Sequence, residues 1–496
     1  MSSTADASRP SRDADVVIVG AGFSGLGVAA LLDKAGFRSY LILEAADDLG
    51  GTWRDNTYPG CGCDIPSPLY SYSFHQKADW SRLFAGQPEI LDYLRDMARR
   101  RGLVGRIRFG QSVTCARWSE VDARWEVETA AGTRLRARFL ISAVGPLHHP
   151  VVPRLPGTES FGGPAFHSAA WRHDVDLTGK RVAVIGTGAS AVQFVPAIAD
   201  RVAALTVFQR TPPWILPKSD RTFDDRHRRL AHWLPPYRWW IRERLFRIHE
   251  SRAAGFVSDP RAMEATGALA RRLIAKQVSD PALRAAVTPD YTVGCKRVLI
   301  SSDWYPALSL PHVDLRRGGV KELRPGAVVG EDGHETAADV LIHGTGFDTQ
   351  NTIRFDIAGR DGLSLADAWR GGNQAYLGTT VAGFPNMFLM VGPNTGLGHN
   401  SQIAMIEAQA RHVVALLRRV RRSGARTVEV RPEVQRSFID WIDGRMAGTV
   451  WQTGGCRSWY QDPRSGRNTV LWPDTVVAFR RRTARIRTED YLVGRS

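Results

Sequence analysis

Short, mainly apolar runs recur along this chain at 15–19, 40–43, 139–144, 181–185, 205–208 and 339–342, with stretches of helical pattern between several of them. Runs this short and apolar predict strands covered on both faces, and helical crossovers between them make the sheets parallel. Further strands are expected at 113–118 and 125–129, and Gln87-Pro88-Glu89-Ile90 opens a basic helix. From about 223 to 287 the pattern is helical, without strand signals, whereas 49–68 is a loop rich in Gly, Pro and Cys. The fold class expected is α/β: two Rossmann-like dinucleotide-binding units, with a helical insert in the second.

Two of the predicted strands run straight into glycine turns 166 residues apart, Gly20-Ala21-Gly22-Phe23-Ser24-Gly25 and Gly186-Thr187-Gly188-Ala189-Ser190-Ala191. Twenty-four residues beyond the first glycine of each turn, the next strand ends at a charged residue, Glu44 in one case and Arg210 in the other. Such a turn lets backbone N–H groups approach a pyrophosphate at a helix N-terminus. A carboxylate at the second strand tip accepts ribose hydroxyls, and a guanidinium there pairs with a 2′-phosphate. Glu44 therefore points to FAD or NAD and Arg210 to NADP. The division that follows is an FAD-binding domain over 15–150, resumed at 338–496, and an NADP-binding domain over 151–337 carrying the helical subdomain of about 223–287.

Composition narrows the class. A 496-residue chain, 43% hydrophobic and 23% charged, suits a globular protein of two or three packed domains. The formal charge of +16 comes almost wholly from arginines scattered through the chain, not gathered on one motif, so nucleic acid is not the expected partner. Five cysteines, at 61, 63, 115, 295 and 456, include no CxxC pair, which disfavours a disulfide framework, a metal site and a dithiol centre, and points to a reducing cytoplasm. Residues 1–14 are polar and are expected to be a disordered lead-in, not a signal peptide. No apolar run reaches membrane-spanning length. The insert mixes Trp233, Tyr237, Trp239, Trp240 and Phe246 with many arginines. These aromatics are expected to pack on the NADP domain, the alternatives being a membrane-surface helix or a mouth for apolar substrate.

Two further stretches carry a family resemblance. Phe161-Gly162-Gly163-Pro164-Ala165-Phe166-His167-Ser168-Ala169-Ala170-Trp171 fits FxGxxxHxxxW, and the run from Gly50 through Gly51, Thr52, Trp53, Tyr58, Pro59 and Gly60 to Asp64 fits GGxWxxxxYPGxxxD. Both are similar to the fingerprints of Baeyer-Villiger monooxygenases, which are class B flavin-dependent monooxygenases. Trp171 favours that ketone-oxidising branch over N- and S-oxygenating relatives, which remain the alternative. An NADPH oxidase or reductase without productive oxygenation, or a flavin-binding sensor, stands further off. The chain departs from the family pattern at Arg172, where Pro or Asp is common, and at His343, where a small residue is usual.

The resemblance implies an enzyme that uses FAD, NADPH and O₂ to place one oxygen atom beside a ketone carbonyl, giving an ester or lactone. Arg297 matches the arginine that, with NADP⁺, stabilises a C4a-peroxyflavin, a role suited to a side chain that never loses its proton. Asp64 matches the acid paired with it, and such pairing depresses a carboxyl pKa. FAD contacts are expected from Gly20, Gly22, Phe23, Ser24, Gly25, Glu44, Gly51, Thr52, Trp53, Tyr70, the Val113 backbone and Gln402. NADP contacts are expected from Thr187, Gly188, Ala189, Ser190, Gln193, Arg210, Thr211 and Lys296, with Trp459 on a mobile loop that closes over it. Phe161, Gly163, His167 and Trp171 would couple domain movement to catalysis, His167 as an orienting hydrogen-bond donor. The chain is expected to be a cytoplasmic monomer or homodimer with no stable membrane insertion.

Overall fold

The computed structural model describes residues 12–259 and 261–494, so that most of the expected lead-in lies outside the described residues. Its first sheet is built from β1 (Arg12–Val19), β2 (Tyr40–Leu43), β3 (Ile107–Arg108), β4 (Val113–Ser119), β5 (Arg124–Thr129) and β6 (Arg134–Ser142). The order across it is Asp356–Ala358, β4, β5, β6, β1, β2, β3, with Met387–Leu389 also paired to β6. The strand β1 begins at Arg12, inside the expected lead-in, because its first residues pair with β6 alone and Asp13 bonds Arg136 at 3.2 Å. Successive β1 side chains point to opposite faces, Val16 and Ile18 into one cluster and Val17 and Val19 into another. Helix α1 (Phe23–Lys34) is buried on nearly every side, between that sheet and the helix Gln402–Ser423.

The second sheet contains β7 (Ala165–His167), β8 (Arg181–Ile185) and β9 (Ala204–Gln209). It runs in the order Val313–Arg317, β9, β8, Val340–His343, β7, and every pairing is parallel. The strand Val340–His343 thus lies inside the second sheet, and the chain returns to the first unit after His343, not at 338. An isolated run of four buried residues cannot announce which sheet receives it.

The insert corrects a second expectation. Its later helices, Ala262–Gln277 and Pro281–Val287, pack on the second sheet through Leu273, Ile274 and Val287. The helix Pro235–Glu250 instead packs on the first unit, where Phe246 joins Leu69, Met405 and Phe479 and Arg242 stands 3.9 Å from Glu407. Trp233, Trp239 and Trp240 pack on neither unit and are exposed.

Candidate active site

Both glycine turns stand at the carboxyl ends of parallel strands, where open α/β sheets bind ligands, and they face one cavity of about 1140 Å³. Gly20 and Gly186 adopt φ +106° and +102°, and a Cβ on either would press to 2.7 or 2.6 Å on the carbonyl oxygen of Ala143 or Gly344. Glycine is required there by conformation and by space. The helices that follow, α1 and Ala189–Ala199, start at Gly22 and Gly188 without a side-chain cap, so their first-turn N–H groups lack helical partners beside the cavity.

Around the first turn the cavity is lined by Gly20, Gly22, Phe23, Ser24, Glu44, Gly51, Thr52, Trp53, Asp64, Tyr70, Val113 and Gln402. Gly25 does not line it; a Cβ there would stand 1.9 Å from the Gly20 carbonyl oxygen, so this glycine serves helix-to-turn packing. The Glu44 carboxylate accepts the Ala21 N–H at 2.8 Å and pairs with Arg54 at 2.9 Å, bracing the turn while keeping acceptor capacity. The Tyr70 hydroxyl accepts from Trp53 Nε1 at 3.2 Å, and the Tyr70 ring meets Phe23 edge-on. Gln402 donates to the Thr395 carbonyl at 3.1 Å.

Around the second turn the lining is Thr187, Gly188, Ala189, Ser190, Gln193, Arg210, Thr211, Lys296 and Trp459. Neither Arg210 nor Lys296 makes an ion pair among the described residues. Burial lowers the Lys296 pKa, and the nearby Arg210 charge lowers it further. Two cations held together with so little opposing charge make a site for a dianion.

Arg297 is exposed, and the cavity is what it faces. Desolvation works against its charge, yet the field of Asp64, followed by Tyr460, Cys63 and Tyr70, holds its pKa above the ordinary value. Asp64 differs from expectation on two points. Its oxygens come no nearer than 4.0 Å to any cation among the described residues, so Arg297 acts on it through space. Its carboxyl is pushed up, not down, because burial outweighs the opposing pull of Arg297 and Lys218. Gln193 orients this carboxylate from the second unit: its Nε2 donates to Gly62 O at 3.0 Å and Asp64 Oδ1 at 3.4 Å, and its Oε1 accepts from the Tyr58 hydroxyl at 2.9 Å. Tyr58, Lys218 and Tyr460 were given no role by motif reading. Tyr58 lies inside a quoted motif and Tyr460 next to Trp459, but Lys218 carries no local signal.

The fingerprint residues Phe161, Gly163, His167 and Trp171 do not line the cavity. Trp171 packs edge-on against Phe166 and also meets Phe194 of the helix Ala189–Ala199. His167 pairs in register with His343 at the sheet edge and stacks edge-on with Phe347, beside the crossing back to the first unit. Its Nδ1 accepts the Ala169 N–H at 3.0 Å, and its buried Nε2 finds no hydrogen-bond partner among the described residues, so the side chain accepts where a donor was expected; burial together with His343 lowers its pKa to about 4. The cysteines bring a last correction: Cys295 and Cys456, 161 residues apart, are joined by a disulfide.

Comparison with known proteins agrees with the fold. Residues 17–237 match the family described as pyridine nucleotide-disulphide oxidoreductase. A Baeyer-Villiger monooxygenase of Streptomyces coelicolor is 46% identical over 97% of this chain and 92% of its own length. One of Pseudomonas aeruginosa is 44% identical over 97% and 91%. Among solved structures, cyclohexanone monooxygenase from Rhodococcus sp. Phi1 bound to NADP⁺ aligns with a TM-score of 0.88 at 29% identity, covering 98% of this chain and all of that one. An oxidized steroid monooxygenase bound to NADP aligns with a TM-score of 0.87, also at 29% identity and 98% coverage of this chain.

Proposed function

The chain belongs to the Baeyer-Villiger monooxygenase family, and from that premise we propose that it holds FAD against the first glycine turn and NADPH against the second. With O₂ it inserts one oxygen atom beside a ketone carbonyl, giving an ester or lactone. The observation that carries this reading is Arg297, a permanently charged side chain opening onto the same cavity as both turns.

The residues present fit both cofactors. A Cβ on Gly51, at φ +53°, would press to 3.3 Å on the Gly22 Cα, so the first turn and the Gly50-Gly51 loop approach backbone to backbone, with the uncapped helix behind them. Glu44 at the strand tip suits the ribose of FAD, and Trp53 and Tyr70 supply flat surface for its ring. The cation pair Arg210 and Lys296 suits the 2′-phosphate of NADPH, with Thr187, Ser190 and Gln193 at the pyrophosphate. A reduced flavin held by these residues would supply the electrons that activate O₂.

What the chain contributes is charge, orientation and dryness. The Arg297 guanidinium offers a fixed positive field to the anionic oxygen nucleophile and to the oxyanion formed at the ketone carbon. Asp64, held by Gln193, sets the direction of that field without consuming the guanidinium's donors. His167 keeps its proton at Nε2 and acts as a positioning residue at the joint between units, distant from proton transfer in the cavity. Trp459 lines the cavity while its carbonyl accepts from Thr349 Oγ1 at 3.1 Å, so closure of this loop would exclude water. We assign ketone and O₂ as the reaction partners, and a monomer or homodimer working in the cytoplasm, where NADPH is kept reduced.

The test is purified protein given NADPH under air with a panel of ketones, the products being identified by mass. Arg297→Ala should leave flavin bound and NADPH oxidation measurable while ester formation falls on the order of 10²-fold or more. Ester formation that survives the substitution would refute the assignment.

A further inference from the structure

We infer that the corner between the helices Asp225–Trp233 and Pro235–Glu250 is a docking surface for an anionic lipid bilayer. Trp233 is 76% exposed, Trp239 62%, Trp240 53% and Leu234 50%. Most other tryptophans of the chain are buried, as is usual for this residue. The four apolar side chains lie within eight residues of one another around Pro235-Pro236, which forms the first turn of the second helix. Exposure this high on adjacent residues describes a protruding corner rather than a groove.

The charges around the corner select the occupant. Arg226, Arg229, Arg238 and Arg244 make no ion pair among the described residues, whereas Arg228 and Arg247 on the same helices pair with Asp225 and Glu243. Arg244 stands 5.6 Å over the Trp240 ring, placing one of the free cations directly beside the apolar tip. A second copy of this chain meeting the corner about a two-fold axis would set arginine against arginine. An anionic bilayer neutralises those arginines and takes indole rings at headgroup depth, where they bury an apolar body and keep the ring N–H wet. No helix among the described residues is long and apolar enough to cross a membrane, so the contact is peripheral.

The experiment uses the full-length, flavin-loaded protein, sedimented with vesicles of phosphatidylcholine alone or doped with phosphatidylglycerol. Binding is expected to the doped vesicles, with blue-shifted tryptophan emission, and to weaken as salt is raised. Each charge removal, Arg229→Ala or Arg238→Ala, should weaken binding about fivefold, the counterpart of about 1 kcal/mol per arginine. Trp233→Ser, Trp239→Ser and Trp240→Ser combined should abolish binding, with NADPH oxidation on a water-soluble ketone unchanged. The inference fails if the parent protein stays in the supernatant with the doped vesicles, or if the triple variant binds as well as the parent. It fails equally if sedimentation without lipid shows a dimer that the triple variant dissociates, which would give the face to a second copy.

Discussion

Arg210 follows β9 into the cavity beside Lys296, and the two form the proposed seat of the 2′-phosphate that separates NADPH from NADH. Arg210→Ala removes a charge-assisted hydrogen bond worth about 1.5–3 kcal/mol, which corresponds to a rise in the KM for NADPH of about 10- to 150-fold. The side chain makes no ion pair among the described residues, so stability should change by no more than about 0.5 kcal/mol. The KM for NADH, which has no phosphate there, should stay within about twofold. Lys296 adds a pH signature. Its pKa lies below the ordinary 10.5, so its charge, and with it part of the NADPH affinity, is lost as pH rises through the lowered value. Removing Arg210 takes away like-charge repulsion, raises the lysine's pKa and moves that alkaline limb upward. Steady-state kinetics with both nicotinamides, from about pH 7 to about pH 10, measure both effects. Equal losses for NADPH and NADH, or a limb that stays in place, would refute the phosphate seat.

Two other substitutions probe the site. Asp64 has its carboxyl raised above the ordinary 3.8 by burial, so the stability conferred by its neutral form is lost as pH climbs from 3.8 through the raised folded value. Ionised Asp64 therefore costs stability at neutral pH, and Asp64→Asn should hold or raise the melting temperature while slowing ester formation on the order of tenfold; a lower melting temperature with unchanged turnover would contradict this. Cys456→Ser opens a bond that closes 161 residues, at a cost of up to about 5 kcal/mol on the chain-entropy account. It should also loosen the Trp459 loop, read as more H₂O₂ released per NADPH. Peptide mapping without reductant should recover Cys295 linked to Cys456, and five alkylatable thiols in the unfolded, unreduced protein would exclude the bond.

What could be read in advance was local. The glycine turns, the strands before them and the charges at Glu44 and Arg210 follow from periodicity and fixed spacing, and the cavity gathers those residues. What escaped depends on contacts between distant segments. Glu44 binding the Ala21 N–H and Arg54, Gln193 reaching Asp64, and Cys295 meeting Cys456 join positions whose spacing matches no short motif. The assignment of 339–342 to the wrong unit has the same origin, since four apolar residues state their burial but not their neighbours. Asp64 shows the limit for electrostatics: a cation nearby was foreseen, but the depth of burial that reverses the net shift exists only in the folded chain.

Three consecutive residues link the two units and the C-terminal loop. Cys295 is bonded to Cys456, three residues before Trp459 in the loop that borders the cavity. Lys296 shares the field of Arg210 from the second unit, and Arg297 shares that of Asp64 and Tyr70 from the first. The backbone at 295–297 is thus held at one end by a covalent bond and carries at the other a cation that faces the cavity. We propose that a shift of the second unit would carry Lys296 and Arg297 together, because adjacent Cα atoms stand only about 3.8 Å apart. On that proposal, nicotinamide binding and the placement of Arg297 are coupled. The cation pair proposed for the phosphate would then also set where Arg297 stands.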